Sequence, residues 1–219
     1  LFEIAAEFRR RGRFVVAGGP YASLCPEELR GHVDVVFVDE AEHTWPQFLA
    51  DFEAGTWKCE YRQVGKPDLD DAPLPRFDLL PVERYRSMTM QFARGCPYNC
   101  EFCDIIVLYG RRPRTKPVAR VIAELDALHA LGAGNVFVVD DNFIGDRRRA
   151  KELLVAIAAW QEARGRPIGM MTEVTINVAA DAELLRLLRE ANFTAVFVGI
   201  ESPRAASLAE SRKTQNLRE

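Results

Sequence analysis

Cys96, Cys100 and Cys103 stand within eight residues of one another in "RGCPYNCEFCDI". Three thiolates spaced Cys-x3-Cys-x2-Cys on one loop can grip three corners of a cubane iron–sulfur cluster, which in isolation takes four. No cysteine follows Cys103, His129 falls among the surface and flank positions of an expected helix, and His32 and His43 lie in the other half of the chain. A structural zinc site would need a closed set of four ligands, usually from paired Cys-x2-Cys. Gly95, Pro97 and Asn99 make the loop turn-rich, which speaks against three core-packed thiols. The spacing therefore favours a cluster with one iron left open to something other than protein; zinc and an inert loop are the alternatives. Cys25 and Cys59 stand alone and read as structural, since single thiols are commonly buried as small hydrophobes.

Five cysteines, an odd number, argue against a complete disulfide framework. A tight thiol cluster fits a reducing compartment, where it binds metal or does chemistry. With 219 residues, 48% hydrophobic and 28% charged, the chain has ordinary globular composition and room for more than one small domain. A formal net charge of −3 gives no electrostatic case for nucleic acid. The opening "LFEIAAEFRRRGR" is amphipathic rather than signal-like. The longest apolar runs, "NVFVV" and "LLVAIAAW", are too short to span a bilayer. The expectation is a cytoplasmic protein with no nucleic-acid partner and no transmembrane segment. An absent initiator Met and the polar close "SRKTQNLRE", with no closing element, suggest a fragment.

The elements that must position the loop follow from hydrophobic period. Residues 1–57 alternate helix, strand, helix, strand, helix through "RFVVAGGP", "CPEELRGH", "VDVVFVD" and "HTWPQFLADFEAG", the pattern of a parallel α/β sheet. Residues 58–87 hold four prolines in "GKPDLDDAPLPRFDLLPVERY" and read as a linker. Residues 88–219 begin with "SMTMQFARGC", a strand running into the cysteine loop. "VARVIAELDALHALG", "NVFVVDDNF", "RRRAKELLVAIAAWQEARG", "IGMMTEVTINV", "DAELLRLLREAN" and "TAVFVGIES" then alternate helix and strand. These are four βα-type steps of a partial TIM-like barrel, with the loop at the C-terminal end of its first strand.

"CPYNCEFC", after a strand and at the head of a part-barrel, resembles the radical S-adenosylmethionine (SAM) superfamily from residue 88 to about residue 216. The resemblance implies a [4Fe–4S] cluster on Cys96, Cys100 and Cys103, with SAM chelating the open iron through its amino and carboxylate groups. One electron, from a donor such as flavodoxin or ferredoxin, would cleave SAM to a 5′-deoxyadenosyl radical. Phe102 would pack beside the adenine. Where the family carries Gly-Gly-Glu for the SAM amino group, this chain has Asp140, Asp141 and Asn142. These offer acceptors to an ammonium, or cap the following helix. Thr172, Glu173 and Asn177 alternate with apolar neighbours and should face SAM or substrate from the third strand. Glu201, ending the fourth, sits near the ribose or pairs with an arginine.

"VVAGGPYAS" and "VDVVFVDEAEHTWPQFL" together resemble the C-terminal part of a Rossmann-like cobalamin-binding domain fused to such a barrel. Gly18, Gly19 and Pro20 would border the cobalamin nucleotide tail. Glu40 and Glu42 would follow the next strand, with Asp39 and Ala41 standing where glycine is usual. "IIVLYGRRPRTKPVARVIAEL" and "VVDDNFIGDRRRAKELL" are similar to a bacterial subgroup that includes hopanoid methylases. Its basic run, Arg111, Arg112, Arg114 and Lys116, is a solvated face or binds an anionic substrate or the SAM carboxylate. The implied function is cobalamin-dependent methyl transfer to an unactivated carbon of a small molecule, a lipid among the candidates. A cobalamin-dependent cyclase or rearrangement enzyme, and a non-catalytic iron–sulfur or zinc protein, are the alternatives.

Overall fold

Val35 to Val38 are four consecutive buried side chains, and a run of that kind suits a parallel strand covered on both faces. The computed structural model describes residues 1–70 and 72–217, which fall into two units, Leu1–Pro67 and Asp68–Glu219. The first runs α1 (Phe2–Arg10), β1 (Val16–Ala17), α2 (Pro20–Leu24), α3 (Pro26–Leu29), β2 (Val35–Val38), α4 (Thr44–Glu53) and β3 (Glu60–Arg62). The strands form a parallel sheet in the order β1-β2-β3. Alternate β2 side chains serve two small cores. Val36 and Val38 pack with Ala5, Ala17, Ala22 and Leu29, while Val35 and Phe37 pack with Phe48 and Tyr61.

Strand β3 falls inside the stretch read as linker from residue 58. Only Tyr61 of its three residues is buried, too little to show a period, and its hydroxyl donates to Asp51 Oδ2 at 2.6 Å.

The second unit opens with short 3-10 turns at Phe77–Leu79 and Val82–Arg84, then β4 (Met88–Met90) and β5 (Ala93–Arg94). It continues through α5 (Ile105–Leu108), β6 (Arg114–Thr115), α6 (Val118–Ala130), β7 (Asn135–Val138), α7 (Arg147–Glu162) and β8 (Gly169–Val174). A 3-10 turn at Ile176–Ala180, α8 (Ala182–Glu190), β9 (Phe193–Val198), α9 (Ala205–Glu210) and a last turn at Thr214–Asn216 complete it. Four strands pair in parallel in the order β4-β7-β8-β9. This is the α/β fold with parallel sheets that the sequence predicts.

The helices form where period and caps agree. Val121, Leu125 and Leu128 put one buried stripe on α6. Asp146 caps α7 by accepting from Arg149 N at 3.0 Å, and Asp181 caps α8 by accepting from Leu184 N at 3.0 Å. One continuous core gathers Phe92, Val136, Phe143, Leu153, Ile157, Met170 and Leu184, each worth about 1.5–3 kcal/mol by removal from water.

Three features depart from the sequence reading. The expected single strand into the cysteine loop is two pieces, since β5 leaves the sheet to pair antiparallel with β6. The third sheet strand stops at Val174, so Asn177 sits on a 3-10 turn rather than in alternation with Thr172 and Glu173. The polar tail is structured, with Lys213 and Gln215 buried. Among the described strands β9 has one neighbour, β8, and its residues Thr194–Phe197 are exposed, Phe197 at 71%.

Candidate functional site

The ends of β4, β7, β8 and β9 lead respectively into the cysteine loop, Asp140–Asn142, Asn177 and Glu201. Parallel strands present their C-terminal ends to one edge of the sheet, the customary place for ligands in such folds.

The neck of the loop is fixed by backbone. Ala93 and Arg94 pair with Thr115 and Arg114, and Cys96 N donates to Gly110 O at 3.2 Å. Gly95 between them has φ +95°, and a Cβ there would meet Gly110 O at 2.9 Å and Arg112 O at 3.1 Å. Asp140 ties the same neck from β7, its Oδ1 and Oδ2 accepting from Phe92 N at 2.8 Å and Ala93 N at 3.0 Å. With both oxygens so engaged, Asp140 acts as a backbone anchor for the loop.

Burial pushes the Asp140 carboxyl up to about 7, against the pull of the two N–H donors and of Lys116. Between its ordinary value of 3.8 and about 7 the folded chain therefore holds a proton that the unfolded chain has released. Asp140 thus costs stability as pH rises through that window, by at most about 1.4 kcal/mol per pH unit. Asp140→Asn lacks this titration but accepts one N–H where the carboxyl accepts two. The variant is expected to melt below the parent near pH 4, with the gap narrowing towards pH 7. Thermal melts of both proteins across that range check it, and parallel profiles would refute it.

Two of the loop thiols, Cys96 and Cys103, are held above their ordinary value. Burial raises the Cys96 thiol; the Tyr98 N–H and the Asn142 amide lower it, and Cys103 and Cys100 raise it further. Burial also raises Cys103, with Cys100, Asp141 and Asp104 adding to it and the Ile105 N–H opposing. Asn142 Nδ2 lies 3.7 Å from Cys96 Sγ and Gln215 Nε2 3.5 Å from Cys100 Sγ. The other ends of these amides, Asn142 Oδ1 and Gln215 Oε1, are buried without hydrogen-bond partners. Amide donors suit thiolate acceptors, so the donor set fits sulfurs that carry negative charge in a bound cluster. Among the described residues no three His, Cys, Asp or Glu side chains gather as a site for a single metal ion.

The remaining predicted residues separate. Helix α7 is capped by Asp146, so Asp140, Asp141 and Asn142 are not its cap. Asp141 is half-buried, its carboxyl raised by burial and by nearby Glu173. Thr172 is buried and its hydroxyl donates to Val138 O at 3.0 Å, leaving only lone pairs for a ligand. Asn177 reaches the loop by donating to the Tyr98 hydroxyl. Glu201 pairs with Lys213 at 2.6 Å rather than with an arginine. The Lys213 Nζ also stands 5.6 Å from the centroid of Phe102, a ring 55% exposed.

The basic run divides as well. Arg111 and Arg112 are exposed, whereas Lys116 is buried against Glu124 at 2.5 Å. Lys213, Gln215 and Asn216 escaped the sequence reading; the retreat of Lys213 and Gln215 from solvent leaves no trace in composition.

Within the first unit, Gly18, Gly19 and Pro20 are exposed after β1, and a Cβ on Gly18 would touch Phe37 Cβ at 3.4 Å. Glu40 is buried and Glu42 half-buried after β2. Asp39 takes φ +66°, a left-handed conformation that Asp adopts more readily than most side chains. Its amide donates to Ser23 Oγ at 2.8 Å, joining the end of β2 to α2.

Residues 90–219 match the radical SAM superfamily. The chain is 46% identical over 220 residues to an uncharacterized methyltransferase of Synechocystis sp., covering 100% of this chain and 41% of that protein. It is 37% identical over 208 residues to the hopanoid C-2 methylase of Rhodopseudomonas palustris, covering 93% and 39%. The chain thus spans about two-fifths of these relatives. Its fold is similar to that of the radical SAM methyltransferase TsrM from Kitasatospora setae, with TM-score 0.71, 20% identity and coverage of 94% and 45%. It is also similar to that of the cobalamin-dependent SAM radical enzyme OxsB, with TM-score 0.76, 18% identity and coverage of 99% and 36%.

Proposed function

The chain belongs to the radical SAM superfamily, and on that premise we propose that Cys96, Cys100 and Cys103 hold a [4Fe–4S] cluster whose open iron takes SAM. The observation that carries this reading is the pair of buried amides, Asn142 and Gln215. Each offers an N–H to a loop sulfur and keeps a carbonyl oxygen without a partner. Bound there, a reduced cluster supplies the electron for homolysis of the SAM sulfonium, and cobalamin supplies a methyl group.

The chain's own residues bind and orient. The exposed face of Phe102 receives the adenine. Asn142 Oδ1 and the Asp141 carboxylate accept from the SAM ammonium. Glu201, steadied by Lys213, accepts from ribose hydroxyls, while Thr172 and Glu173 line the floor. Asn177 fixes Tyr98 and with it the second turn of the loop. Asp140 acts through the neck, holding Phe92 and Ala93.

Residues 88–219 form the first part of a (β/α) barrel. Residues 1–57, together with β3 from the stretch 58–87, form the end of a Rossmann-like cobalamin domain, with Gly18, Gly19, Pro20, Glu40 and Glu42 at its ligand edge, and the rest of 58–87 joins the two. The whole protein is a methyltransferase acting on an unactivated carbon of a small molecule, served by a flavodoxin- or ferredoxin-type donor. The relatives named as a methyltransferase and as a hopanoid C-2 methylase support the transfer of a methyl group.

Anaerobic reconstitution with iron and sulfide is expected to give about four irons per chain and SAM cleavage to 5′-deoxyadenosine. One zinc per chain would refute the reading. A product heavier by one methylene separates methyl transfer from cyclisation.

A further inference from the structure

Lys213 to Asn216 is a polar run with every reason to stay in water, yet Lys213 is 7% and Gln215 5% exposed. The run is held over the cysteine loop from several sides. Glu101 N donates to Ser211 O at 3.0 Å, and Asn216 Nδ2 donates to Gly199 O at 3.1 Å and Ile200 O at 3.0 Å. Lys213 is fixed on Glu201. This scaffold directs Gln215 Nε2 at the sulfur of Cys100, 115 residues earlier in the chain.

A buried amide with one end on a thiol and the other on nothing is a poor device for stability. It is a good one for shaping a potential. Adding an electron to a cluster raises the negative charge on its sulfurs, and an N–H aimed at a sulfur stabilises the more negative state more. We infer that Gln215 is a positioning residue that sets the reduction potential of the cluster through Cys100, an inference that rests on the cluster reading above. The reaction concerned is uptake of one electron from an external low-potential donor, taking [4Fe–4S]2+ to [4Fe–4S]+.

The test is an EPR-monitored dithionite titration of the reconstituted full chain without SAM, comparing the parent with Gln215→Met and Gln215→Glu. Both variants keep about the same side-chain volume and lack the donor. At a fixed potential near the parent midpoint the reduced-to-oxidised ratio is expected to fall about tenfold, a shift of about 59 mV for a one-electron couple. Gln215→Glu, measured at alkaline pH so that its carboxyl is ionised, adds negative charge and should shift at least as far. Parent-like iron and sulfide content with an unshifted midpoint in both variants overturns the inference. Loss of the cluster from both also overturns it, by making Gln215 a structural plug. A parent chain that takes up no iron is a different result, and refutes the cluster itself.

Discussion

Alanine at Cys96, Cys100 or Cys103 is expected to reduce cluster-bound iron and 5′-deoxyadenosine formation to background, singly as well as together. A cluster held by three thiolates has already given one iron to a ligand that is not protein, and a second vacancy leaves two anchors for a group that takes four. The polar groups aimed at Cys96 and Cys100 are the amides of Asn142 and Gln215, which donate to sulfur rather than bind iron. Alanine at Cys59, which is exposed, or at Cys25, half-buried in the other unit, should leave iron content unchanged. Iron and acid-labile sulfide analysis beside a SAM-cleavage assay makes the measurement. A triple variant that still cleaved SAM would end the radical SAM reading of this loop.

Gly95→Ala should be nearly as damaging without touching a ligand. The left-handed backbone costs a residue with a Cβ about 1–2 kcal/mol. The new methyl would also press on the carbonyls of Gly110 and Arg112, which are backbone and cannot swing aside. Overpacking of that kind adds about 1–3 kcal/mol. Gly110 is the internal control. Its φ is +85° but no heavy atom lies within 4 Å of its Cβ position, so Gly110→Ala pays strain alone. At about 2–4 °C per kcal/mol for a chain of this size, the two variants should be separable by thermal melting. Gly95→Ala should also lose iron, because the Cys96 amide bonds to Gly110 O across the displaced neck. Equal melting temperatures for the two variants would show that the neck relaxes.

What the sequence disclosed follows from how far each signal reaches. Leu184, Leu187 and Leu188 declare α8 because one buried stripe repeats within two turns. The cysteines declare themselves by spacing alone. Strand β3 did not, since a three-residue edge with one buried tyrosine has no period to read. The β5–β6 pair was hidden for a similar reason: two residues against two, closed over the loop by a contact twenty positions apart. Asp140 reads as a ligand by its place after a strand, but its oxygens are spent on Phe92 and Ala93, some 48 residues earlier. Gln215 lay furthest out of reach, because a glutamine headed for a sulfur is spelled like one headed for water. Local pattern thus discloses the frame and the thiols, whereas the polar shell around them is assembled by closure across the chain.

Strand β9 carries a practical consequence. With β8 on one side, exposed side chains along its length and Phe197 largely bare, it has the makings of a template onto which a second molecule can lay a strand of its own. Handled as an isolated piece at high concentration, this polypeptide would be drawn towards clumping through that margin, and a soluble fusion or a charged residue in place of Phe197 is the natural remedy.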